Sequence, residues 1–132
     1  MVITAIIERN ETNYYMISSA DEICDCVFAG YGYSVQEAKN DFFKCIEEMR
    51  ELSLGDSREF PEEIEVVFKY DIPSFFNFFD FINVSKFAAR AGINESKMRQ
   101  YKSGLATASE PTARKIMETA REIGLELQSV AI

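Results

Sequence analysis

Residues 84–104 read VSKFAARAGINESKMRQYKSG, and the reading of this stretch decides the second half of the chain. Phe87, Ala88 and Ala91 give a first short helix an apolar face, and Gly92 ends it, glycine being the residue that adopts positive φ at least cost. Ile93 is expected as a buried plug. Asn94 is placed to cap a second helix, with Glu95 in its first turn against the helix dipole. Met98 and Tyr101, three apart, face inward, and Gly104 closes the helix. Ala88 followed four residues later by Gly92 lets two helices cross closely, as a helix-turn-helix requires. An αα-hairpin with a solvated face is the competing description. The Tyr101-x-x-Gly104 ending and the flanking helices favour the helix-turn-helix.

The outer face of the second helix carries hydrogen-bonding side chains of the type that read a DNA groove. Arg99 and Gln100 are expected on base edges, with Ser96 and Ser103 in support. Lys86, Lys97 and Lys102 are expected on phosphates, and Asn94 and Glu95 complete the candidate interface. Glu95 cuts both ways. Its charge repels phosphate, which suits an interaction module that has lost DNA, yet a glutamate also accepts from cytosine N4.

Upstream, Val2–Arg9 (VITAIIER) is rich in β-branched residues and predicts a strand. The turn cluster at 10–13 and a second strand over Tyr14–Ser18 complete a hairpin. Ala20–Asp25 reads as a polar connection and Cys26–Tyr31 as a third strand, ended by Gly30 and Gly32. Ser34 and Glu37 form a capping box for a helix to about Leu54, with Val35, Ala38, Phe42, Cys45, Ile46 and Met49 on one stripe. Gly55-Asp56-Ser57 is expected to stop it, and Glu63–Tyr70 to form a fourth strand. The order β-β-β-α-β predicts a small sheet with a helix on one face.

Pro73 marks a boundary between lobes 1–72 and 73–132. Ser74 is the expected cap of a helix over Phe75–Ile82, whose FFNFFDFI is apolar on nearly every side and is expected to be buried all round. After the helix-turn-helix, Ser109 caps a last helix with Pro111 in its first turn and an inner stripe of Ala113, Ile116, Met117 and Ala120. Gly124 is expected to end it. Leu125–Ile132 (LELQSVAI) then reads as a terminal strand with one bulge, whose partner is either the first lobe's sheet or the same segment of another subunit, the second being favoured. The expected fold is α+β: a β-β-β-α-β lobe, then an all-α lobe with a terminal strand.

Composition narrows the function. A chain of 132 residues, 47% hydrophobic and 13% aromatic, is globular. No apolar run reaches the ~18 residues of a membrane span, and the first residues lack the basic start of a signal peptide, so a cytoplasmic protein away from membranes is expected. Net charge is −8 but unevenly spread. Residues 1–72 hold six Lys/Arg and sixteen Asp/Glu, a net of −10, whereas residues 84–121 hold eight Lys/Arg and three Glu, a net of +5. The acidic lobe suits a basic protein and the basic lobe phosphates. The three cysteines are expected as reduced thiols, with Cys45 in the core. Without histidine, and with Cys24-x-Cys26 too tight for a zinc knuckle, no metal site is expected. Glu8, Asp21, Glu22 and Asp25 show no spacing that would hold two metals, no nucleophile has an evident base, and no phosphate-binding glycine loop is present. No enzyme and no cofactor are expected.

The motifs in order resemble the HicB-type antitoxins of bacterial toxin–antitoxin pairs. The Ser34-Val35-Gln36-Glu37-Ala38 helix entry is similar to that family's. Val67-Phe68-Lys69-Tyr70-Asp71 before Ser74-Phe75, then Gly92-Ile93-Asn94, Tyr101-x-x-Gly104 and Gly124-Leu125-Glu126-Leu127, resemble the long HicB-like variants of Bacteroidetes. The resemblance implies a partial RNase H-like lobe that plugs a small basic HicA-like toxin, an mRNA endonuclease. It also implies repression of its own operon through operator DNA. A homodimer, or a higher oligomer, is expected separately, from the terminal segment and from the two half-sites that helix-turn-helix domains commonly bind. Ala20-Asp21-Glu22-Ile23-Cys24 departs from the family's leucine-proline-glycine-cysteine turn, at the border of its toxin-facing surface. The alternative is a stand-alone helix-turn-helix regulator whose first lobe binds a ligand or another protein.

Overall fold

Alternation along β1 (Val2–Arg9) buries Ile3, Ala5 and Ile7 and turns Val2 and Glu8 outward, the period of two that a sheet with one covered face imposes. β2 (Tyr15–Ser19) pairs antiparallel with β1, Ile17 opposite Ile7, and buries Tyr15, Ile17 and Ser19. β3 (Ala29–Gly32) pairs antiparallel with β2, and β4 (Glu65–Tyr70) pairs parallel with β1, giving the order β3-β2-β1-β4. This computed structural model describes residues 1–10, 12–54 and 60–132. The chain is mixed α+β and divides into two units, Met1–Phe75 and Phe76–Ile132.

In the first unit α1 (Val35–Leu54) crosses the sheet with Ala38, Phe42 and Ile46 buried. The helix starts where expected: Ser34 Oγ accepts from the Glu37 amide at 3.0 Å, and the Glu37 carboxylate accepts from the Tyr33 amide at 2.8 Å. That exchange satisfies two orphan donors, one residue out of register with a strict capping box. Val35, Cys45 and Met49 are half-buried, so Cys45 lies at the margin of the core. Helix and sheet approach so closely that β3 has no room for a side chain on that face. A Cβ at Gly30 would lie 2.3 Å from the Phe42 nitrogen, and one at Gly32 would lie 2.7 Å from the Ala38 nitrogen. Gly30 therefore sits inside the strand, and Gly32 is its last residue. The expected helix stop at Gly55-Asp56-Ser57 lies outside the described residues.

The third strand is shorter than expected, beginning at Ala29 instead of Cys26. Ser19 explains the offset: its hydroxyl accepts from the Phe28 amide at 2.8 Å, while its own amide donates to the Phe28 carbonyl at 2.9 Å. Before it, Ile23 and Cys26 exchange two backbone hydrogen bonds around Cys24 and Asp25, both at positive φ. This tight turn buries Ile23, so the segment is more than a polar connection. The sheet face away from α1 carries Thr4, Ile6, Met16 and Ser18 half-buried, with Tyr31, Val67 and Lys69 exposed.

α2 (Ile72–Phe78) begins three residues before the expected start. Asp71 rather than Ser74 is its cap, accepting from the Ser74 amide at 3.2 Å. Pro73 sits in the first turn, where its missing N–H costs nothing. Ser74 is buried and its Oγ accepts from the Arg9 amide at 3.0 Å. The helix is not buried all round: Asn77 is exposed, and Phe81, beyond its end, is largely exposed.

In the second unit α3 (Val84–Ala91) and α4 (Glu95–Ser103) pack Phe87, Ala88, Met98 and Tyr101 inward, and Phe76 meets Phe87 edge-on at 5.4 Å. α5 (Glu110–Gln128), capped by Ser109, buries Ile116 and Thr119. It does not stop at Gly124, and the terminal strand expected over Leu125–Ile132 is absent. Leu125–Gln128 form its last turn, and the Ser129 amide donates to the Leu125 and Glu126 carbonyls. The reason is local. Leu, Glu and Gln are strong helix formers, a helix satisfies its backbone internally, and a strand needs a partner. One interior glycine costs only about 1 kcal/mol. A pair between Arg90 and Glu126 at 2.9 Å ties the last turn to α3.

Candidate nucleic-acid interface

Two helix ends and the turn between them build the candidate interface. Asn83 caps α3, its side chain accepting from the Lys86 amide at 3.0 Å. Gly92, at φ 70, donates to the Ala88 and Ala89 carbonyls, and the Ile93 amide donates to Ala88 at 2.9 Å. This is a Schellman-type stop, which needs a residue free to enter the left-handed region. Ile93 is half-buried rather than the fully buried plug expected. Asn94 then caps α4 through the Lys97 amide at 3.2 Å, and Gly104, at φ 81, ends it. The helix–turn–helix segmentation of 84–104 is present residue for residue.

The nine candidate residues fall into groups. Asn94 spends its side-chain oxygen on the cap, and Ser103 donates to the Gln100 carbonyl at 3.1 Å. Both serve α4 itself. Gln100 is half-buried, while Ser96, Lys97 and Lys102 on α4 and Lys86 on α3 are exposed. Glu95 and Arg99 are joined: Arg99 Nη2 donates to Glu95 Oε1 at 2.7 Å. They are also joined to a residue outside the expected set. Ser85, in the first turn of α3, donates to Glu95 Oε1 at 2.6 Å and accepts from Arg99 Nη2 at 3.1 Å. Ser85 lies ten residues before Glu95 and carried no signal as a lone serine; only the turn at 92–94 brings the two together.

Beside this ring an open depression of ≈ 400 Å³ is lined by Ile82, Asn83, Val84, Ser85, Arg99 and Lys102. It joins the positive end of the α3 dipole to two cationic side chains, an environment that favours anions. Exposed cations at Lys86, Lys97 and Lys102 extend the same character across α3 and α4. Chemically the surface offers donors and positive charge, with one carboxylate already neutralised by Arg99.

Among the described residues no group of three His, Cys, Asp or Glu side chains is placed to hold a metal ion. The Asp21 carboxylate accepts from the Thr4 amide at 2.8 Å, a structural use. No described helix is long and apolar enough to cross a membrane. Comparison with family models, with curated proteins and with solved structures found no match.

Proposed function

We propose that this chain is a HicB-type antitoxin: a cytoplasmic, homodimeric repressor that binds its own operator through α3 and α4 and holds a small basic HicA-like toxin with its first unit. The observation that carries the reading is the α3–turn–α4 pair, with Gly92 at φ 70 between two capped helices and Ser96, Lys97, Arg99 and Lys102 exposed on the second. Its outer face offers what a major groove recognises, hydrogen-bonding side chains near the start of a helix and cations around them. Two further observations support the toxin arm. The first unit leaves one sheet face with Tyr31, Val67 and Lys69 exposed, and residues 1–72 carry a net charge of −10, which steers a cationic partner toward them.

The test is footprinting of the full chain on the DNA upstream of its own gene. Arg99→Ala is expected to cost about 1–3 kcal/mol and to relax preference at one position, whereas Lys102→Ala weakens all sequences alike and lowers the salt slope by about 1. Absence of any preference for that DNA over random sequence ends the repressor reading. Co-expression with a small basic HicA-like toxin tests the toxin arm, growth being the expected result and continued toxicity the one that ends it.

A further inference from the structure

The ring of Ser85, Glu95 and Arg99 is more than a helix-surface ion pair. Glu95 and Arg99 lie four apart on α4, where such pairs are ordinary. Ser85 comes from the other helix and closes the ring, donating to Glu95 and accepting from Arg99. All three contacts run through Glu95 Oε1, Arg99 Nη2 and the Ser85 hydroxyl. Glu95 Oε2 and the Nη1 and Nε groups of Arg99 have no partner among the described residues. Glu95 and Arg99 keep 53% and 64% of their side-chain surface exposed. One turn at the start of α4 thus presents a fixed acceptor beside fixed donors.

From this geometry we infer that Glu95 and Arg99 read DNA as one unit that selects guanine and cytosine together, with Ser85 as its positioning residue. The inference rests on the DNA-binding reading above. Guanine offers two acceptors, O6 and N7, in the major groove, and cytosine offers the N4 donor. Arg99 supplies donors for the first and Glu95 Oε2 an acceptor for the second. An A·T pair puts the N6 donor where guanine has O6 and the O4 acceptor where cytosine has N4, so the two heads held in the same place would each meet a like group. The ring holds both heads at one spacing before DNA arrives, which lowers the ordering cost of binding. Glu95 also takes up charge that Arg99 would otherwise offer to any phosphate.

The test is selection by the full-length protein from a library of random duplex DNA, comparing the wild type with Arg99→Ala, Glu95→Ala, Glu95→Gln and Ser85→Ala. Circular dichroism checks that each variant keeps its helices, and Glu95→Gln keeps the shape of the side chain should Glu95→Ala unfold. The expected wild-type motif contains G·C pairs at one or two adjacent positions. Arg99→Ala and Glu95→Ala should each lower preference there by about tenfold, and Ser85→Ala should lower it less, with the rest of the motif unchanged. A purely structural Ser85 would alter affinity without altering preference. If Glu95→Ala binds every sequence more tightly and leaves the motif intact, Glu95 only repels phosphate and the inference is overturned. Relaxation at separated positions for Glu95 and Arg99 overturns the single unit. A wild type that selects no motif removes the DNA reading itself, a distinguishable result.

Discussion

An alanine methyl at Gly30 would meet the Phe42 nitrogen at 2.3 Å and the Ala38 carbonyl oxygen at 2.4 Å. Both are backbone atoms of α1, so the helix must move to admit it. Gly30→Ala is expected to cost about 3 kcal/mol, the upper end for overpacking, read as a lower midpoint in urea. Gly92 is the opposite case: nothing lies within 4 Å of its added Cβ, but φ is +70. Gly92→Ala should cost about 1–2 kcal/mol through backbone strain alone. Tyr70 sets an alkaline limit. Burial, with a smaller contribution from Tyr15, raises its pKa above the ordinary 10.0. The folded state therefore holds the Tyr70 proton more tightly than the unfolded chain. The stabilisation is complete below the unfolded value and is lost as pH rises through the higher folded value. Melting temperatures from pH 8 to 11.5 should fall above about pH 10, and Tyr70→Phe should flatten part of that fall.

α5 is where the sequence misleads most, and the cause is physical. Gly124 has the look of a helix stop, but a stop needs a left-handed φ, and among the described residues the positive-φ glycines are Gly92 and Gly104. With nothing within 4 Å of an added Cβ, Gly124→Ala is expected to stabilise the protein by about 0.5–1 kcal/mol. A terminal strand at 125–132 would make the same change neutral, and exchange protection of the Leu125–Gln128 amides separates the two directly. The remaining elements were legible where one local signal decides them. Ser34, Asn94 and Ser109 cap the helices they were read to cap, and β1 forms over the β-branched run that predicted it. The start of α2 was not legible because Ser74 and Asp71 are both good caps. Only the distant Arg9 amide, which claims the Ser74 hydroxyl, decides between them. The candidate interface was legible as a helix face but not as a ring, since Ser85 enters it by tertiary approach.

For the whole molecule, charge bears on the salt dependence of the proposed DNA binding and apolar surface on the proposed dimer. Net charge is −8, yet residues 84–121 carry +5, so operator binding by the full chain should weaken steeply with added salt. A single helix-turn-helix offers few phosphate contacts, and such domains commonly bind two half-sites as dimers. The second unit has apolar surface suited to that role. On α5, Ala113, Ile116, Ala120, Ile123 and Leu127 follow a four–three spacing that Val130 continues, the pattern of a helix–helix seam. Ile116 is buried, while Leu127 and Val130 are 62% and 59% exposed. Leu125 and Ile132 add exposed apolar area beside them. In the homodimer proposed above, the helical end of α5 is then the expected interface, in place of paired strands. Leu127→Asp combined with Val130→Asp should give a monomer by light scattering at micromolar concentration, with helical content unchanged. Operator affinity should fall more than tenfold, because each half-site must then be bound alone. An unchanged dimer would remove α5 from the interface, and a wild type that stays monomeric on operator DNA would remove the dimer.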